Sequence, residues 1–278
     1  MVISTNKSVL RFGIITDIHY ALESNIAAAP DEDLRACLDC FNNHQVDFLL
    51  QLGDLIQGSD TSREEELRHV CALLDEFQAP VRHVLGNHCL ALPREELLAA
   101  LRLHNPFYSF SLHGYRFIVL DGMDVSVLRT PETDKELRIL AFFRAHPELH
   151  DYCGAVGTKQ KVWLKHELER AEQAGEIIIA LCHFPLLPET TDQKHGLLWN
   201  HNEIADLLAS SPALKVCLGG HFHHGGYAFF RGKHFVVLPA FVNRLEHPDF
   251  TCGTAEVSPE RMIIRNQADM VIYDLPFL

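Results

Sequence analysis

The chain has 278 residues, 47% of them hydrophobic, and a mean hydropathy close to zero, enough for a full buried core. Lys and Arg number 24 against 37 Asp and Glu, a net charge of −13 that speaks against nucleic-acid partners. The longest apolar runs, such as 177-IIIALC-182 and 235-FVVL-238, have the length of strands and are too short to span a bilayer.

The opening stretch MVISTNKSVLRFG lacks the basic, apolar and small-residue pattern of an export signal, so a cytoplasmic protein with eight reduced cysteines is expected. Short apolar runs then alternate with helical patterns. Strand 12-FGIITD-17 leads to a helix from about Asp31 to His44, which contains the C-x-x-C of Cys37 and Cys40. One helical turn separates these thiols, a spacing that reads as core packing. Strand 46-VDFLLQLGD-54 precedes helix 63–77, and 81-VRHVLGNH-88 precedes a weaker helix at 94–103. Residues 107–121 read as a hairpin turning at His113-Gly114, and 131–175 as charged and mostly helical. Strand 176–183, the loop 185–196, a helix near 201–210 and strand 214–220 follow. The tail alternates strand-like runs with turns: YAFFR, HFVVLPAF, GTAEVS and RMIIRN. One domain spanning 1–278, an α/β fold with two sheets faced by helices, fits this order.

The ends of the strands carry the chemistry. They read 17-DIH-19, 53-GD-54, 86-GNH-88, His183 and, in the stretch GGHFHHGG, 220-GHFH-223. Taken singly, each has a plain structural reading: a helix cap, a turn residue, a hydrogen-bonded core histidine. Taken together, strand ends of one parallel-type sheet would converge on one rim. Aspartates, an asparagine and histidines form a mixed oxygen and nitrogen set that suits manganese, iron or zinc, and no thiolate cluster competes.

These five motifs, in this order, resemble the calcineurin-like metallophosphoesterases. The resemblance implies a β-sandwich flanked by helices in four αββα layers, and two divalent or mixed-valence metal ions about 3.5 Å apart bridged by a hydroxide. It implies that Asp17, His19, Asp54 and His223 hold one metal, and Asp54, Asn87, His183 and His221 the other, with Asp54 shared. His88 would not ligate but would face the scissile phosphate and stabilise or protonate the leaving oxygen. His224 is left over and reads as a solvent-facing or supporting residue.

A narrower similarity rests on 106-PFYSFSLHGYRFIVLDGMDVSVL-128, 154-GAVGTKQKVWL-164, 198-LWN-200 and 220-GHFHHGGYAF-229. These segments look like the manganese-dependent ADP-ribose/CDP-alcohol diphosphatases, which cleave the pyrophosphate bond of nucleotide-diphosphate conjugates. Three positions depart: His19 stands where that group carries Gln, Cys89 where the family usually has an acidic residue, and Gln57 where Asp is frequent. The loop 20–33 carries no basic residue for a nucleotide. Arg63, Arg129 and Arg244 read as ordinary surface arginines, 188-PETTDQKH-195 as a pocket wall, and Trp199 as packing.

The expectation is a dinuclear phosphohydrolase whose partner is a small phosphorylated metabolite, with neither nucleic acid nor membrane. The alternatives are a cyclic-nucleotide or other phosphodiesterase or phosphomonoesterase on the same site, and a non-catalytic metal-binding scaffold for protein interaction.

Overall fold

The computed structural model describes residues 8–22, 30–131, 133–146, 149–192 and 196–278. Part of the loop after the first motif (23–29) and part of the 188–195 loop (193–195) therefore lie outside the described residues. Contacts along the chain gather into two compact units: Val9–Pro106 with Pro239–Phe277, and Phe107–Leu238.

The first unit begins with β1 (Leu10–Ile15), α1 (Pro30–Asn43), β2 (Phe48–Gln51), α2 (Arg63–Leu74), β3 (Val81–His83) and α3 (Arg94–Ala100). Strands β1, β2 and β3 run parallel, in the register Ile14 to Leu50 and Leu50 to Arg82. A parallel sheet covered by helices needs apolar residues on both faces, and all four residues of β2 are buried. In α1 the buried positions Leu34, Cys37, Leu38 and Phe41 follow the spacing of one helix face. That face joins Leu67, Val70 and Leu74 of α2, Leu97 of α3, and Ile15 and Leu49 of the sheet in one core.

The second unit holds β4 (Tyr108–Leu112), β5 (Tyr115–Val119), β6 (Val125–Ser126), α4 (Asp134–Arg144), β7 (Gly154–Ala155), α5 (Thr158–Ala174), β8 (Ile177–Leu181), α6 (His201–Ala209), β9 (Leu214–Gly219), β10 (Gly226–Phe230) and β11 (Lys233–Val237). Its sheet has the order β10-β11-β9-β8-β5-β4. The hairpin turns where expected, with φ of 52° at His113 and 84° at Gly114, the two positive angles of the tightest hairpin turns. Residues 131–175 are mostly helical as expected, in α4 and α5, and between these helices β7 pairs with the earlier β6 in a short ladder that the sequence reading does not include. That ladder is two residues long, too brief to leave a periodic signal.

The tail returns to the first unit as β12 (Gly253–Val257), β13 (Arg261–Asn266) and β14 (Val271–Pro276). Strand β12 pairs antiparallel with β1, so β1 lies inside a six-stranded sheet of order β14-β13-β12-β1-β2-β3. The strand ends that carry the motifs therefore belong to two sheets rather than one. Three motifs follow β1, β2 and β3, and two follow β8 and β9.

Candidate metal centre

In the first unit the chain leaves β1 and β2 side by side and keeps bonding beyond the sheet. The Asp17 amide donates to Gly53 O at 3.0 Å, His19 to Asp54 O at 2.9 Å and Tyr20 to Leu55 O at 3.1 Å. This zipper puts Asp17, His19 and Asp54 in the left-handed backbone region, with φ of 51°, 45° and 49°. Each non-glycine residue held there costs roughly 1–2 kcal/mol. Three such residues at consecutive motif positions mark strain kept for a purpose.

The side chains that this backbone presents are buried: Asp17 is 0%, Asp54 1% and His19 8% exposed. His19 Nε2 lies 3.8 Å from Asp17 Oδ1 and 3.6 Å from Asp54 Oδ2. Both distances exceed a hydrogen bond and match two ligand atoms that each sit about 2 Å from a shared ion. Asp54 uses its other oxygen, Oδ1, to accept from the His88 amide at 2.9 Å. Gly86 lies against this carboxylate so closely that a Cβ there would fall 2.2 Å from Oδ1, so the G-N-H turn needs glycine for space.

Asn87 tests whether the set fits a metal. Its Oδ1 is buried and has no hydrogen-bond partner among the described residues. A buried acceptor left so costs about 1–3 kcal/mol. An amide oxygen next in the chain to His88, whose own amide holds the Asp54 carboxylate, is a hard, uncharged ligand for a divalent cation. The residues of this unit fit the group.

His88 behaves differently. Its ring stays partly exposed, stands edge-on to His19 at 4.5 Å between centroids, and places Nδ1 2.7 Å from the Gln57 carbonyl oxygen. That oxygen can only accept, so Nδ1 carries a proton and Nε2 is the atom left for chemistry. Because the partner is main chain, the departure to Gln57 leaves this contact intact. Cys89 is inert by contrast: burial first, and the Asp54 carboxylate second, push its thiol up to about 11.

In the second unit His183 follows β8 and His221 follows β9. Gly220 N donates to His183 O at 2.9 Å, which locks the two loop starts together. Gly219 packs on the strand before His183, where a Cβ would come 2.5 Å from Cys182 O. The two rings lie 5.2 Å apart at 74°, and Phe184 covers His221 at 4.8 Å. His221 too has a left-handed backbone, φ 68°. His223 is half-buried in the same loop, while His224 is exposed as expected. The turn between glycine pairs thus presents imidazoles at alternate positions.

Residues 10–225 match the calcineurin-like phosphoesterase family over most of the chain. The chain belongs to that family. This phosphoesterase is similar to the manganese-dependent ADP-ribose/CDP-alcohol diphosphatase of Arabidopsis thaliana, 32% identical over 89% of this chain and 90% of that protein. Its likeness to the protein of the same name from Oryza sativa subsp. japonica is 28% over 99% and 96%. In fold it is similar to a dimetal phosphatase crystal structure from Danio rerio, with a TM-score of 0.84 and 24% identity over 97% of this chain and 99% of that one. The phosphoesterase is thus a metal-dependent hydrolase of phosphoric esters or anhydrides, of mixed α/β fold.

Two side chains that the sequence does not single out also approach a ligand candidate. Tyr152 and Cys153 approach His221, the Tyr152 ring at 5.6 Å and Cys153 Sγ 4.0 Å from Nε2. Arg244 is not a surface arginine. It is 8% exposed, its Nε lies 2.6 Å from Asp33 Oδ2, and its guanidinium covers the Phe241 ring at 4.5 Å. Arg63 and Arg129 are engaged with Glu64 and Asp124. Trp199 packs against Phe143 and donates from Nε1 to His150 O at 3.1 Å, the packing role expected of it.

Proposed function

We propose that this phosphoesterase cleaves the pyrophosphate bond of a small nucleoside-diphosphate conjugate, of the ADP-ribose or CDP-alcohol kind, with two manganese ions. The observation that carries the metal reading is the buried Asn87 Oδ1 without a partner among the described residues, beside the strained Asp17, His19 and Asp54. The substrate class rests on the names of the relatives. In this reading Asp17, His19, Asp54, Asn87, His183, His221 and His223 are the ligands, with Asp54 shared, and the whole of 1–278 acts as one catalytic domain. The family match supports this, since it takes in residues of both compact units. Iron or zinc in place of manganese is compatible with the same oxygen and nitrogen donors.

When bound, the two ions would supply Lewis acidity that activates water and screens the phosphate charge. The chain's own contribution is definite. Asp54 is fixed by the His88 amide and by its strained backbone, so its second oxygen keeps one direction. His88, oriented through Nδ1 on Gln57 O, leaves Nε2 as the atom through which a proton would reach the departing phosphate oxygen. The acidic surface leaves a phosphorylated metabolite to be drawn by the metals alone. None of the eight cysteines is in a disulfide, which supports a cytoplasmic setting, and no described helix is long and apolar enough to cross a membrane.

The test is turnover by metal-stripped protein with manganese added back, on ADP-ribose, CDP-choline, a cyclic nucleotide, bis-p-nitrophenyl phosphate and p-nitrophenyl phosphate. Stripping should abolish activity, and manganese should restore cleavage of the first two with release of a nucleoside monophosphate. Asp54→Ala should stay folded and lose on the order of a thousandfold in kcat. Restored activity on the diesters or the monoester alone would remove the pyrophosphate assignment, and normal turnover by Asp54→Ala would remove the two-metal one.

A further inference from the structure

A carboxylate has two oxygens, and a cation shared among several ligands needs one of them held in a fixed direction. Asp54 is tied through Oδ1 to the His88 amide. Asp17 is tied by the side chain of the residue before it: the Thr16 hydroxyl donates to Asp17 Oδ2 at 2.5 Å. Its other oxygen, Oδ1, lies 3.8 Å from His19 Nε2. A hydroxyl-to-carboxylate contact of that length belongs to the charge-assisted bonds, roughly twice as strong as neutral ones. Thr16 is 1% exposed and Asp17 0%, so bulk water does not compete for either partner.

Neighbouring side chains in a strand point to opposite faces and do not meet. Thr16 directly follows β1, and an extended chain would keep that alternation. The left-handed backbone at Asp17, φ 51°, breaks it and brings the carboxylate to the threonine hydroxyl. The main chain is fixed on both sides of this contact. The Asp17 amide donates to Gly53 O at 3.0 Å, and the amides of Phe241 and Val242 donate to Thr16 O and Asp17 O at 3.0 and 3.1 Å. Phe241 is itself fully buried, in the core that α1 and α2 share. With its backbone held, Thr16 keeps only χ1 to choose, and branching at Cβ restricts that choice. The donor is in place before any ion arrives.

We propose that Thr16 is a positioning residue for the metal centre: its hydroxyl occupies Oδ2 of Asp17 and directs Oδ1 toward the cation. The inference rests on the manganese reading above and adds to it a residue that is not a ligand. Without the hydroxyl, Oδ2 loses a donor in a place that water does not reach, and the carboxylate has no fixed rotation about its last bond. Hydrogen bonds that orient a ligand in this way typically govern about 10–100-fold in metal affinity.

The experiment is a calorimetric titration of manganese into full-length, metal-stripped protein, wild type beside Thr16→Val and Thr16→Ser. Valine keeps the branched shape and drops the hydroxyl; serine keeps the hydroxyl and drops the methyl. In Thr16→Val the manganese dissociation constant of one site should rise about 10–100-fold, with two ions still bound at saturation and an unchanged far-UV spectrum. Thr16→Ser should restore most of the lost affinity. If Thr16→Val does not fold, Thr16→Cys takes its place with a loss in the same direction, since S–H is a weak donor. Wild-type affinity in the variant that lacks the hydroxyl overturns the proposal. An equal loss in Thr16→Ser overturns it too, because methyl packing and not the hydroxyl would then be responsible. Wild-type protein that takes up no manganese would fail in a different way, by removing the metal reading on which the proposal stands.

Discussion

His88 and Asn87 are neighbours in one turn with opposite tasks, and the difference is a matter of atoms. Asn87 hides an oxygen with no partner among the described residues, and His88 leaves a nitrogen near solvent after fixing the other on Gln57 O. His88→Gln should therefore lower kcat by about 10²–10⁴-fold while bound manganese, read by elemental analysis, stays the same. His88 also offers an atom within 4.8 Å of ligand atoms of His19 and Asp54, so a parallel loss of manganese would make it a ligand instead of a proton donor. Most of the proposed site is legible in the sequence. Asp17, His19, Asp54, Asn87, His183, His221 and His223 stand out because metal chemistry restricts residue type and strand ends restrict place. Tyr152, Cys153 and the buried role of Arg244 were not legible, since each depends on contacts between residues far apart in the chain.

At the level of elements, the loop after the G-D motif is organised by one buried carboxylate at the start of α2. Glu66 accepts from the amides of Gly58 and Ser59 at 2.9 and 3.3 Å, and from the hydroxyls of Ser59 and Ser62 at 2.6 and 2.9 Å. These bonds hold the segment next to Gln57, whose carbonyl orients His88. Glu66→Ala should cost about 2–4 kcal/mol in urea unfolding and reduce kcat without changing metal content. An unaltered midpoint would mean that the loop holds itself. Helices α1, α2 and α5 and the hairpin were readable because their periodicity or turn residues are long-range consistent. The β6–β7 ladder and β14 were not, the first for brevity and the second because its exposed apolar residues mimic a frayed tail.

For the molecule as a whole, stability in mild acid is set in part by His83 at the end of β3. Burial drives its pKa down to about 4, with a small opposing effect from Asp75, and Gln51 Oε1 lies 3.3 Å from Nδ1. A histidine depressed in the folded state stays neutral there while the unfolded chain takes up a proton. Its contribution is complete above pH 6.5 and is lost as pH falls toward 4. Between pH 7 and pH 5 the loss is about 2 kcal/mol, visible as a lower urea midpoint. His83→Gln should flatten that slope, and an unchanged slope would place the acid sensitivity elsewhere.

The position of β1 has a consequence for biosynthesis. Its neighbour β12 begins at Gly253, close to the far end of the chain, while β1 ends at Ile15. At ordinary translation speeds, roughly ten to fifty seconds pass between the emergence of these two strands. During that interval one flank of β1 presents open amides and carbonyls beside apolar side chains, an invitation to pairing with other nascent chains. Holding chaperones on the ribosome would find their binding segment there, and a message cut short before β12 would yield a product that aggregates rather than a smaller enzyme.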